Sequence, residues 1–92
     1  MSLFLIDHVD TQMALADYLR FRRKLQKYSR QALAERSGVP AATIKKFEST
    51  GQISLRQFLL LWQHLDDIQR LYALSQRTYI PKTIEDVLNA EF

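Results

Sequence analysis

Apolar residues recur along this chain at helical spacing, and the spacing is reset at short polar or Gly/Pro-containing breaks. Leu15, Leu19 and Leu25 share a face of a first predicted helix and are expected to turn it toward the core. Asp10 or Thr11 can N-cap it, and it runs to about Gln26. Ser29 suits the cap of a short second helix with Ala32, Leu33 and Arg36 spaced along it. Gly38 can take the left-handed conformation that ends it, and Pro40 fits the first turn of the next helix. That third helix, from about Ala41 to Ser49, is expected to bury Ile44 and Phe47. Thr50-Gly51-Gln52 then breaks the chain, and Ser54 to Gln57, "SLRQ", is a capping box opening a longer helix.

Residues 55 to 65, "LRQFLLLWQHL", place Leu55, Phe58, Leu59, Trp62 and Leu65 in one stripe, with Leu60 and Leu61 beside or behind it. A helix apolar over most of its circumference needs a second surface, and in so small a chain a second copy can provide it. A further helix is expected over about Asp66 to Ser75, carrying Ile68, Leu71 and Leu74. "YIP" ends it, and Thr83 can cap a last short helix, "IEDVLNAE". Residues 2 to 6, "SLFLI", suit a short strand or an arm. The expectation is an all-α fold, a five- or six-helix bundle, in 92 residues that hold one core. Residues 1–10 form the arm or strand, 11–75 the helical domain and 76–92 an extension with a short helix.

Composition narrows the class. Apolar residues make up 47% of the chain, which argues against disorder, and there is no cysteine for a disulfide or a thiolate site. The opening "MSLFLIDHVD" has no basic residue before its short apolar run, a poor signal peptide, and no run approaches a membrane span. A soluble, cytoplasmic protein is expected. His8 and His64 stand far apart without an HExxH pattern or paired carboxylates. Neither GxGxxG nor GxxxxGK[ST] occurs. No enzyme, cofactor or metal site is expected.

Charge changes the picture more. Net charge is only +3, but residues 20 to 46 hold nine of the thirteen Lys/Arg against the single acid Glu35. That segment therefore carries +8, and the rest of the chain −5. It is either a solvated helix face or an electrostatic footprint for a polyanion. Residues 29 to 49, "SRQALAERSGVPAATIKKFES", have the length and punctuation of a helix-turn-helix. Lys45 and Lys46 lie on its second helix and the arginine cluster lies just upstream. An ordinary corner of two helices without a DNA role has the same outline.

The stretch "LRFRRKLQKYSRQALAERSGVPAATIKKFE" resembles the Cro/C1-type (XRE family) helix-turn-helix transcriptional regulators, whose pattern runs roughly "IRxxRKxxGLSQxxLAxxxGVSxxTIxxxE". Leu19, Arg20, Arg23, Lys24, Ser29, Leu33, Ala34, Gly38, Val39, Thr43, Ile44 and Glu48 match, and the likeness covers about residues 14 to 65. It implies a lambda-repressor-like DNA-binding fold with residues 41 to 49 as the recognition helix. Ala41, Ala42, Lys45 and Lys46 would then meet base edges in the major groove. Either lysine can reach guanine or a phosphate, and either alanine can touch a thymine methyl. Thr43 would reach a phosphate or a base. Ser29 and Arg30 match phosphate contacts.

Arg23 and Glu48 match positions that often form a partly buried ion pair in the family; the alternative is two unrelated surface charges. Leu19, Leu33, Ala34, Val39, Ile44, Phe47, Leu55 and Phe58 are assigned to the core. Three departures stand out: Arg30 replaces the usual Gln after Ser29, Lys27 replaces a glycine, and two small alanines open the recognition helix. The departures point to thin, partly indirect base readout. The resemblance implies a sequence-selective, autoregulatory repressor that binds a palindromic double-stranded DNA operator as a homodimer. "FESTGQISL" is similar to a HipB-like antitoxin subgroup, which implies a HipA-like kinase toxin as partner. The competing reading is a protein-interaction module of the same fold that neutralises a partner without binding DNA itself.

Overall fold

The computed structural model describes residues 5–76, and every regular element in that span is helical. Five α-helices follow in order: α1 (His8–Leu25), α2 (Arg30–Ser37), α3 (Ala41–Thr50), α4 (Leu55–Leu65) and α5 (Ile68–Tyr72), the last running into a 3₁₀ turn, Ala73–Ser75. This is the all-α, lambda-repressor-like arrangement. The expected helix after Thr83 lies outside the described residues, as do residues 2 to 4 of the "SLFLI" segment. Leu5 and Ile6 are exposed and belong to no element.

Helix α1 starts earlier than Asp10 or Thr11. Asp7 is its cap, accepting from the Asp10 backbone N–H at 2.9 Å, while the Asp10 carboxylate accepts from the Asp7 N–H at 3.2 Å. Two acids thus complete a reciprocal box at a helix start, where negative charge is favoured, and the first helical turn takes in residues assigned to the arm. Ser29 caps α2 and Ser54 caps α4, accepting from Ala32 and Gln57 backbone N–H groups at 3.0 and 3.1 Å. At α4 the reciprocal half is missing: the Gln57 side-chain oxygen accepts from the Ser54 hydroxyl instead. Gly38 and Gly51 end α2 and α3 with φ of 78° and 76°. Pro40 stands just before α3, as its cap residue, and not within the first turn.

Helix α1 packs on α3 and α4, and α2 packs on α3 and α4, so one core lies between the four. Ala16, Leu19, Leu33, Val39, Ile44, Phe47, Phe58, Leu61, Trp62 and Leu65 fill it. Tyr18, Trp62, Phe58 and Phe47 form an aromatic chain with successive ring centroids 5.6 to 6.0 Å apart. Three core expectations need correction. Leu55 is 73% exposed, while Leu61 is buried and carries the α4 face in its place. Leu25 is 58% exposed, because the inward side of α1 at that level is taken by Arg23. Ala34 is only half-buried against the core.

Polar side chains of α1 close the far end of α4. Arg22 Nε and Gln26 Nε2 both donate to the Leu65 carbonyl, at 2.8 and 2.9 Å, satisfying an acceptor left free at a helix C-terminus. Next to it, Asp66 accepts from the Tyr18 hydroxyl, from the Asp67 backbone N–H and from Arg70 Nη1. The Tyr18 hydrogen bond, first among these, holds the Asp66 carboxyl down at about 2. This knot ties α1 to the α4–α5 corner.

Candidate nucleic-acid interface

Helix α3 divides cleanly between two faces. Ile44, Phe47 and Glu48 point into the fold, while Ala42, Lys45, Lys46 and Ser49 are exposed at the i, i+3, i+4, i+7 spacing of one outward face. Ala41 and Thr43 are half-buried at its edges. The Lys45 and Lys46 carbonyls accept from the Ser49 hydroxyl at 3.0 and 3.1 Å, and Thr50 bonds the Lys46 carbonyl at 2.6 Å. These bonds occupy the last turn's hydroxyls with backbone and leave both ammonium groups on the outward face. A groove of about 380 Å³ runs beside the helix, lined by Ala42, Thr43, Lys46, Gln52, Ile53 and Gln57. Gln52 and Gln57 were absent from the sequence-based site; Gln57 was visible there only as a capping residue.

Ser29 is exposed at the head of α2, its hydroxyl engaged as the cap. Arg30 follows in the first turn, and its Nε donates to Glu48 Oε1 at 2.9 Å. Arg23 reaches the same carboxylate from α1 through Nε to Oε2 at 2.8 Å and Nη2 to Oε1 at 3.1 Å. Its remaining Nη1 donates to the Tyr28 carbonyl at 2.8 Å, fixing the loop before α2. The ion pair matched through the family pattern is therefore present, and Arg30 makes it a triad. Burial alone would raise the Glu48 carboxyl; hydrogen bonds from Arg23 and Arg30, with their charges, outweigh it and hold it below its ordinary value. Every buried polar side-chain atom among the described residues finds a partner.

The basic segment is not one uniform patch. Arg23 is buried in the triad, Arg22 is bonded to α4, and the Arg36 guanidinium stacks 4.8 Å from the Tyr28 ring centroid. Arg20, Lys24, Lys27, Lys45 and Lys46 remain exposed. No helix among the described residues is long and apolar enough to cross a membrane. These residues also contain no group of three or more His, Cys, Asp or Glu suited to a metal ion.

Residues 19–63 match a family model described as Helix-turn-helix. No match was found among curated proteins or among solved structures. The matched stretch runs from within α1 through most of α4 and encloses the capped α2, the Gly38 turn and α3. It agrees with the Cro/C1-type likeness of residues 14 to 65. Residues 19–63 are thus similar to a helix-turn-helix domain, which supports a DNA-binding transcription regulator in general.

Proposed function

We propose that the protein is a sequence-selective transcriptional repressor that works in the cytoplasm, binds a palindromic operator as a homodimer and autoregulates its own operon. The observation that carries this reading is the outward face of α3, with Ala42, Lys45 and Lys46 on it inside a helix-turn-helix domain. In this reading the lysines donate to guanine edges or phosphates, and Ala41, Ala42 and Thr43 approach the bases. Ser29 and Arg30 engage the backbone. Two small alanines leave much of the selectivity to DNA shape.

The test is fluorescence anisotropy of the full chain on its own upstream promoter and on a scrambled duplex, at about 0.15 M salt. A tighter complex with the promoter is expected. The Lys45→Ala/Lys46→Ala double variant should lose it while melting at the wild-type temperature, since both side chains are exposed. Unchanged affinity in that variant would remove α3 from the interface.

The HipB-like likeness extends the reading to an antitoxin that binds a HipA-like kinase toxin. An apolar trough on α4 and α5, lined by Leu55, Phe58, Leu59, Ile68, Leu71 and Tyr72, supports a protein partner. The same trough favours the competing interaction module, which predicts binding to neither duplex.

A further inference from the structure

We infer that Glu48 is a positioning residue for DNA contact: braced by Arg23, its carboxylate holds the Arg30 guanidinium ready for a phosphate of the duplex. The inference rests on the DNA-binding reading above. Its basis is the way one carboxylate is shared. Glu48 is already matched in charge and in geometry by Arg23, which takes both of its oxygens in a fork at 2.8 and 3.1 Å. A fold that needed only α1 tied to α3 would be complete at that point. Arg30 adds a second guanidinium to Oε1, leaving the triad with an unbalanced positive charge.

That surplus charge sits at the surface. The Arg23 and Glu48 side chains are 8% and 5% exposed, but that of Arg30 is 38% exposed. The Nε of Arg30 serves Glu48, and among the described residues its Nη atoms make no hydrogen bond. A planar fork tethered at one corner keeps its other donors for a second anion, and a phosphodiester oxygen would balance the charge. Tethering also removes, before binding, much of the rotamer freedom that a long side chain otherwise loses on contact. Arg30 stands at the start of α2 and Glu48 inside α3. The carboxylate therefore sets the place of the backbone contact relative to the outward face of α3.

The experiment measures affinity of the full chain for its own upstream promoter and for scrambled duplex across a salt series. Arg30→Met removes the charge and keeps the stem; it should weaken both duplexes alike and flatten the slope of log K against log salt by about 0.9. Arg30→Lys keeps the charge but cannot tether one corner and present a fork. It should leave the slope unchanged and weaken promoter binding about three- to tenfold. Glu48→Gln should weaken wild-type binding but add nothing in the Arg30→Met background. A merely structural role would instead give additive losses. Should Glu48→Gln fail to fold, leaving Arg23 buried without its charge partner, the Arg30 pair still decides. An unchanged slope in Arg30→Met, or wild-type binding by Arg30→Lys, overturns the inference alone. A wild-type chain that binds neither duplex overturns the DNA-binding reading beneath it.

Discussion

Lys27 carries a φ of 61°, the left-handed region that costs a side chain with a Cβ about 1–2 kcal/mol. The position demands it. After α1 the Tyr28 N–H reaches back to the Arg23 carbonyl and the Lys27 N–H to the Lys24 carbonyl, at 3.1 and 3.0 Å. This is the paired bonding that closes a helix with one left-handed residue. The family pattern places glycine here, so the strain belongs to this chain's own departure. Lys27→Gly relieves it but adds backbone freedom to the unfolded chain, worth about 0.5–1 kcal/mol the other way. The net expectation is a gain between zero and about 1.5 kcal/mol, read as a melting temperature up to several degrees higher. Lys27→Ala removes the same charge without freeing φ and should show no such gain; equal gains in both would assign the effect to charge and not to backbone.

At the scale of elements, local signals carry and distant ones do not. The caps Ser29 and Ser54 and the stops Gly38 and Gly51 are legible in the sequence, because each acts within a few residues of itself. The start of α1 is less so, since three candidate acids and hydroxyls lie within five residues and only the Asp7–Asp10 reciprocity separates them. The inward face of α4 is not legible at Leu55 and Leu61, because leucines nearly encircle that helix and tertiary contact alone selects which are buried. The outward α3 residues follow from periodicity, whereas the tie from Arg30 to Glu48 spans two helices and has no local signature.

Gly38 and Gly51 look alike in sequence and differ in packing. A Cβ at Gly38 would meet nothing within 4 Å, but at Gly51 it would lie 2.9 Å from Gln12 Cβ and 3.1 Å from that residue's backbone carbon. Gln12 also donates to the Gly51 carbonyl, so α1 presses directly on the end of α3. Gly38→Ala should therefore cost about 1 kcal/mol through φ alone. Gly51→Ala should cost about 2–3 kcal/mol, because backbone cannot swing aside as a side chain does. Equal losses in denaturant titrations of the two variants would show that the α1–α3 approach is not tight.

Across the whole molecule, charge and apolar surface point to different partners. The exposed lysines of α3 suit a polyanion, whereas the α4–α5 trough offers about 450 Å³ lined almost wholly by apolar side chains. Leu55 and Phe58 also line a second apolar hollow of about 270 Å³ on the α1–α3 side, so Leu55 stands as an exposed ridge between two depressions. A ridge flanked by hollows on one molecule can interlock with its symmetry-related copy, the self-complementarity that a two-fold contact requires. Pairing there would set two α3 helices at a fixed separation, and operator half-sites about 34 Å apart would follow from it.

Leu55→Glu probes this without harming the fold, because residue 55 is exposed and a carboxylate in the first turn of α4 is favoured by the helix dipole. The wild-type chain should sediment at twice its monomer mass. The variant should sediment as a monomer with unchanged helicity and weaker promoter binding, through loss of the second half-site. A wild-type chain that stays monomeric at concentrations saturating the promoter would defeat the homodimer. If that monomer forms a stable complex with a kinase-like product of a neighbouring gene, and Leu55→Glu disrupts the complex, the trough belongs to the toxin contact instead.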